Sequence, residues 1–131
     1  MKCKRILLAL TEGIDQPIIP EVVALCKKFR SKLFVLFIID PHRISRLARL
    51  THQTTDKLYR KEEEEGWRLL YLVEDEAVGN GVWTSLHFED GIAVNTLKKY
   101  VETYDIDLIV MKRKDDHKRL FAASPVAVMG L

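Results

Sequence analysis

The densest chemical potential in this chain lies between residues 112 and 119, where Lys112, Arg113, Lys114, Lys118 and Arg119 crowd together. Lysine and arginine side chains at that density can grip a phosphate by charge and by hydrogen-bond donation. Asp115 and Asp116 fall inside the same run and balance it locally, which is also the pattern of a solvated loop. The run follows directly on the apolar residues 107–111, and the carboxyl end of a central strand is where open α/β sheets take their ligands. A second basic group, Arg43, Arg46 and Arg49, alternates with Ile44, Leu47 and Leu50. It reads either as an amphipathic turn that meets an acidic partner or as a segment that packs its apolar residues over a sheet edge. Glu62 to Glu65 are consecutive, so on a helix they point around the axis and cannot converge on one metal ion. Arg60 with Glu64 and Lys61 with Glu65 would make i,i+4 ion pairs worth about a few tenths of a kcal/mol.

Other chemistries lack their residues. His42, His52, His87 and His117 have no ligand spacing to one another or to Cys3 and Cys26, as a zinc site would need. There is no Gly-x-Ser-x-Gly elbow, no Cys-x-x-Cys and no pair of carboxylates on one face. No catalytic residue and no metal ligand is therefore expected. Cys26 falls on the apolar stripe of a helix and reads as a small buried hydrophobe. Trp67 and Trp83 read as anchors for a helix face and for a strand.

The elements that would position these groups alternate regularly. Residues 4–10 form a short, nearly continuous apolar run, the pattern of a strand buried on both faces. Pro20 opens a helix over residues 21–30, with Val22, Val23, Cys26 and Phe29 on one face. Residues 33–39 are the strongest strand signal, and Asp40-Pro41 stops it. A long helix runs from Thr54 or Thr55 to about Ala77, and Gly79-Asn80-Gly81 breaks it. Residues 82–88 alternate as a strand with Val82, Thr84, Leu86 and Phe88 on one face. Asp90 is placed to cap a helix over 91–104, with Ala93, Leu97, Tyr100, Val101 and Tyr104 as its core stripe. Residues 107–111 form a further buried strand. The order strand, helix, strand, helix, strand, helix, strand specifies a parallel sheet with right-handed crossovers.

Composition bounds the class. The chain has 131 residues, 47% of them hydrophobic and 31% charged, with 21 Lys+Arg against 19 Asp+Glu. It is too apolar for a disordered chain, and its net charge of +2 gives little steering toward nucleic acid or anionic lipid. One domain spanning residues 1–131 is expected, with no nucleic-acid partner. The longest apolar stretch, residues 33–39, is far short of the roughly 20 residues of a membrane span. The run at 6–10 is too short for a signal peptide core. Two cysteines do not make a disulfide framework, so reduced thiols and a cytoplasmic location are expected.

Four segments taken together resemble the universal stress protein family: residues 4–10 its first strand, 24–40 its first helix and second strand, 105–111 its fourth strand, and 124–129 its closing strand. The likeness implies a flavodoxin-like, doubly wound five-stranded sheet of the adenine nucleotide alpha hydrolase-like kind, with the last helix shortened to a turn or two around residues 118–122. It also implies dimerisation, often through the last strand. A rival alignment makes Pro125 the first residue of a helix capped by Ser124.

In family members that bind ATP, a Gly-x-x-Gly run follows the fourth strand and a Gly-Ser or Gly-Thr comes later, so that bare backbone N–H groups cradle the phosphates. Residues 111–124 contain no glycine. Lys112 and Asp115 stand at the two glycine positions, Ala123-Ser124 replaces Gly-Ser, and Thr11 stands where the family's acidic residue would be. The resemblance thus implies a non-catalytic stress-response or regulatory protein that acts as a homodimer or through a protein partner, without ATP held by the family motif and without another cofactor. The alternative is a nucleotide- or anion-binding module with a rebuilt, lysine-rich phosphate loop, at the positions Thr11, Ile38, Met111, Lys112, Lys114, Asp115 and Ser124.

Overall fold

The computed structural model describes residues 3–11, 13–113 and 126–131. Its strands are β1 (Arg5–Leu10), β2 (Lys32–Ile39), β3 (Thr84–Asp90), β4 (Leu108–Met111) and β5 (Ala127–Gly130), all parallel, in the order β3-β2-β1-β4-β5. The helices are α1 (Ile19–Phe29), α2 (Pro41–Thr51), α3 (Thr55–Gly79) and α4 (Ala93–Tyr104), and a short 3-10 segment, Gly13–Ile18, leads into α1. This is the parallel sheet expected from the alternation, in the doubly wound, flavodoxin-like, five-stranded form that the family resemblance implies.

Strand alternation divides the core into two layers. Ile6, Leu8, Leu10, Val35, Phe37 and Val110 pack against α1, α2 and α3. Leu7, Ala9, Leu36, Ile38 and Ile109 pack against α4, through Leu97, Tyr100 and Val101. Strands enclosed on both faces need apolar side chains at every position, which is why β1 and β2 read as unbroken apolar runs. The β1–β4 join is locked at its amino end, where the Asp107 carboxylate accepts the N–H groups of Lys4 (2.9 Å) and Arg5 (3.0 Å).

Several details differ from the sequence reading. Residues 41–51 form the helix α2, because Asp40 caps it by accepting the His42 N–H at 2.9 Å and Pro41 fits its first turn. Asp90 does not cap α4; it ends β3, and its carboxylate accepts the Tyr59 hydroxyl at 2.7 Å. That bond pushes the phenol of Tyr59 up to about 12. Ile92 occupies the N-cap position of α4 without a side-chain bond. Phe29 lies at the end of α1 and is 51% exposed, outside the core its spacing suggested. Glu65 is bonded by Arg68 instead of the expected Lys61, and Glu62, for which no partner was expected, is bonded by Arg43 at 2.7 Å. Cys26 is fully buried as expected, and burial pushes its thiol up to about 12. Trp67 stacks on Phe88 and Trp83 meets Phe34 edge-on, so both anchor as expected, yet both stay partly exposed. Residues 127–130 are a strand, so the helix reading of this segment is set aside; Ser124, Pro125 and the shortened last helix lie outside the described residues.

The sharpest packing constraint is Gly66, in the middle of α3. A Cβ there would lie 2.6 Å from Phe37 Cδ1 and 2.9 Å from Phe88 Cε2, inside any tolerable contact. Glycine is used so that the helix can sit directly on these two rings. Gly66→Ala is expected to destabilise the protein by up to about 2 kcal/mol, the overpacking cost of about 1–3 kcal/mol less the helix propensity gained, about 1 kcal/mol. A urea titration checks it; an unchanged or higher midpoint would mean that α3 can lift off the sheet without loss.

Candidate functional site

The winding order creates one crevice. From β1 the chain crosses to β2 and then β3 on one side, and returns to β4 and β5 on the other. Neighbouring strands whose onward connections leave in opposite directions open a gap at their carboxyl ends, where ligands of such sheets bind. Here that gap lies between Thr11, after β1, and Lys112, after β4; the register pairs Ala9 with Met111. Gly130 of β5 lies opposite Met111, and the Leu131 N–H bonds the Met111 carbonyl at 2.9 Å.

The site residues expected from sequence fall into three groups. Thr11 and Lys112 stand half-buried at the mouth. Ile38 and Met111 are buried, 2% and 8% exposed, and belong to the α4-side core with Ala9. They form an apolar floor under the crevice and not its open wall. Lys114, Asp115 and Ser124 lie outside the described residues. Among the described residues no group of three histidine, cysteine or acidic side chains could hold a metal ion, and no helix is long and apolar enough to cross a membrane.

Sequence reasoning missed Asp15. This carboxylate is fully buried and accepts the Thr11 N–H at 2.7 Å, closing the turn that leaves β1. It thus sets the direction of the backbone at the mouth of the crevice. The available signal was an acid four residues beyond Thr11 in a glycine-containing turn, where short acidic side chains bond nearby backbone N–H groups.

A second polar line was also missed: Ser85, His87 and Glu89 share one face of β3. Ser85 Oγ lies 2.8 Å from His87 Nε2, while Glu89 accepts the Tyr100 hydroxyl at 3.0 Å. The imidazole is walled by Phe34, Tyr100 and Tyr104, and that burial holds its pKa below the ordinary histidine value despite Glu89. The carboxylate is engaged by tyrosine, so the trio is a packing seam of the sheet edge and not a nucleophile with an oriented base.

A sheet wound this way, with its switch point at the β1–β4 join, is a doubly wound α/β fold, and ligands of such sheets bind at that switch point. The universal stress protein family model matches residues 2–126, and the chain belongs to that family. No curated protein sequence matches it. Among solved structures it is similar to a universal stress protein family member from Burkholderia pseudomallei, at 17% identity over 99% of this chain and 96% of that one, with a TM-score of 0.79. It is also similar to the universal stress protein from Archaeoglobus fulgidus in complex with dAMP (10% identity, 98% of each chain, TM-score 0.67). A universal stress protein family protein from Arabidopsis thaliana with AMP bound is a third (12% identity, 98% and 90% covered, TM-score 0.64). At these identities the likeness is one of fold.

Asp15→Ala is expected to cost about 1.5–3 kcal/mol, the worth of a hydrogen bond to a charged group in a buried site. Chemical denaturation reads the loss directly. A change within a few tenths of a kcal/mol would show that the turn after β1 does not rest on this carboxylate.

Proposed function

We propose that this chain is a non-catalytic regulatory protein of the universal stress family, one domain over residues 1–131, acting in the cytoplasm as a homodimer and not holding ATP by the family's glycine motif. The observation that carries the reading is the β5 edge. Among the described residues strand β5 pairs with β4 on one side only, and the N–H and C=O groups of Val128 and Gly130 point away from the sheet. Beside it lies an apolar groove of about 530 Å³ between α1 and the sheet, lined by Cys3, Leu25, Phe29, Leu108, Ala127, Val128 and Met129. An uncovered strand edge flanked by apolar surface is an aggregation hazard unless a partner covers it. A second copy arranged about a two-fold axis covers both at once. Light scattering should give about twice the chain mass of 15.2 kDa, and Met129→Lys should shift it toward the monomer. A wild-type monomer at high concentration would refute the dimer. Calorimetry with ATP and magnesium should show no heat, and micromolar binding would overturn the ATP statement.

A second reading is favoured by the crevice itself: an adenine nucleotide, such as the dAMP or AMP in the Archaeoglobus and Arabidopsis structures, or another anion, held there by lysine charge. Lys112, half-buried at the mouth, would take the phosphate, with Lys114, Asp115 and Ser124 completing the loop. This reading expects AMP to raise the melting temperature of the wild type and to leave Lys112→Ala, Lys114→Ala unmoved. Equal stabilisation of both proteins would remove the lysines from the phosphate grip.

A further inference from the structure

We propose that the opposite sheet edge, β3, is a docking site for an extended, basic polypeptide segment of a partner protein, which adds to the sheet as a sixth strand. The proposal is independent of the β5 dimer and of any nucleotide, because β3 and β5 are the two outermost strands. The Trp83 carbonyl and the Gly91 N–H both bond β2, at 2.9 Å each, so the odd-numbered residues of β3 face inward. By alternation, the N–H and C=O groups of Thr84, Leu86, Phe88 and Asp90 face outward. Edge strands are ordinarily protected by lysine, proline or a bulge. β3, Thr-Ser-Leu-His-Phe-Glu-Asp, has neither residue, and its register with β2 runs unbroken over all seven positions from Leu33–Thr84 to Ile39–Asp90.

The flank of α3 supplies the specificity. Glu63, Trp67 and Tyr71 follow one another at i,i+4, and Asp56 and Glu74 stand seven residues before Glu63 and seven after Trp67, so all five lie on a single stripe along the helix. The stripe lies along β3: beside it Tyr59 bonds Asp90 at one end, and Trp67 stacks on Phe88 with centroids 5.6 Å apart and planes at 7°. Trp67 is 38% exposed and Tyr71 55%, and their rings lie 5.8 Å apart. A half-exposed tryptophan beside a tyrosine and an open strand edge is the make-up of a recognition surface. Its charge is mainly negative: Asp56, Glu63 and Glu74 on the stripe and Asp90 at the end of β3, against Arg60 on the stripe and Lys32 over the Trp83 ring at the other end of the strand. The α3 cations Lys57, Lys61 and Arg68 fall on other faces, and Arg68 is engaged by Glu65 and Gln16. Backbone pairing would supply the affinity, the two rings an apolar platform, and the carboxylates a preference for lysine or arginine.

The test uses the full chain and a synthetic peptide of about nine alternating lysines and valines, the length of one strand with short overhangs. Amide exchange followed by NMR is expected to slow at Leu86 and Phe88 by about tenfold or more when the peptide is bound, with no change at Val128 and Gly130. The double variant Glu63→Lys, Glu74→Lys should weaken binding by about tenfold, while the matching glutamate–valine peptide should not bind. Unchanged exchange at Leu86 and Phe88, equal binding of both peptides, or protection confined to β5 would each overturn the proposal. So would protection of Leu86 and Phe88 that grows with protein concentration in the absence of peptide, since a second copy would then fill the edge.

Discussion

Everything in this molecule depends on the pairing of β1 with β4, two strands about a hundred residues apart in the chain. Each is buried on both faces, and their amino ends are tied by one carboxylate, Asp107, which accepts the N–H groups of Lys4 and Arg5. The Asp107 N–H in turn bonds the Arg5 carbonyl at 2.9 Å, so the join begins with a closed set of hydrogen bonds. A hydrogen bond to a charged group is among the stronger polar contributions, about 1.5–3 kcal/mol. Once β4 lies beside β1, the chain has reversed its direction of winding, and that reversal produces both the crevice and the two outer edges.

The reversal also distributes the helices unevenly. α1, α2 and α3 share one face, while α4 covers the other. Gly66 lets α3 sit close on Phe37 and Phe88, so the β2–β3 half of that face is tightly roofed. Toward β4 and β5, among the described residues, the same face has only the flank of α1, which leaves the groove of Leu25, Phe29, Leu108 and Met129 open. A parallel sheet is stable when both faces are covered, so the surface left bare points to where another chain belongs. Residues 111–124 contain no glycine, the residue that the family's backbone phosphate cradle uses.

The fold was legible because parallel, doubly buried strands leave long apolar runs, as at residues 4–10 and 33–39. Strand order was not legible, since apolar runs say nothing about which one neighbours which. The helix α2 was ambiguous because its arginines and leucines suit a solvated turn as well as a helix; the cap at Asp40 and Pro41 decided it. Asp90 has a capping residue's chemistry and lies near a helix start, but the hydroxyl of Tyr59, far away in sequence, claims its carboxylate. Phe29 had the right spacing for the core and missed it because α1 ends there, at the open side of the sheet. The strand ends that precede Thr11 and Lys112 were legible because apolar runs mark where they stop. Asp15 was not, since its role is a single bond to a backbone N–H in an irregular turn.

The central claim is that the bare edge of β5, and not a phosphate loop, is this chain's working surface. The most direct test is a crystal structure of the full chain grown with AMP and magnesium. The account predicts two copies joined along β5, the groove beside Met129 closed by the partner, and no nucleotide between Thr11 and Lys112. A monomer with a free β5 edge and an AMP phosphate seated against Lys112 would contradict it.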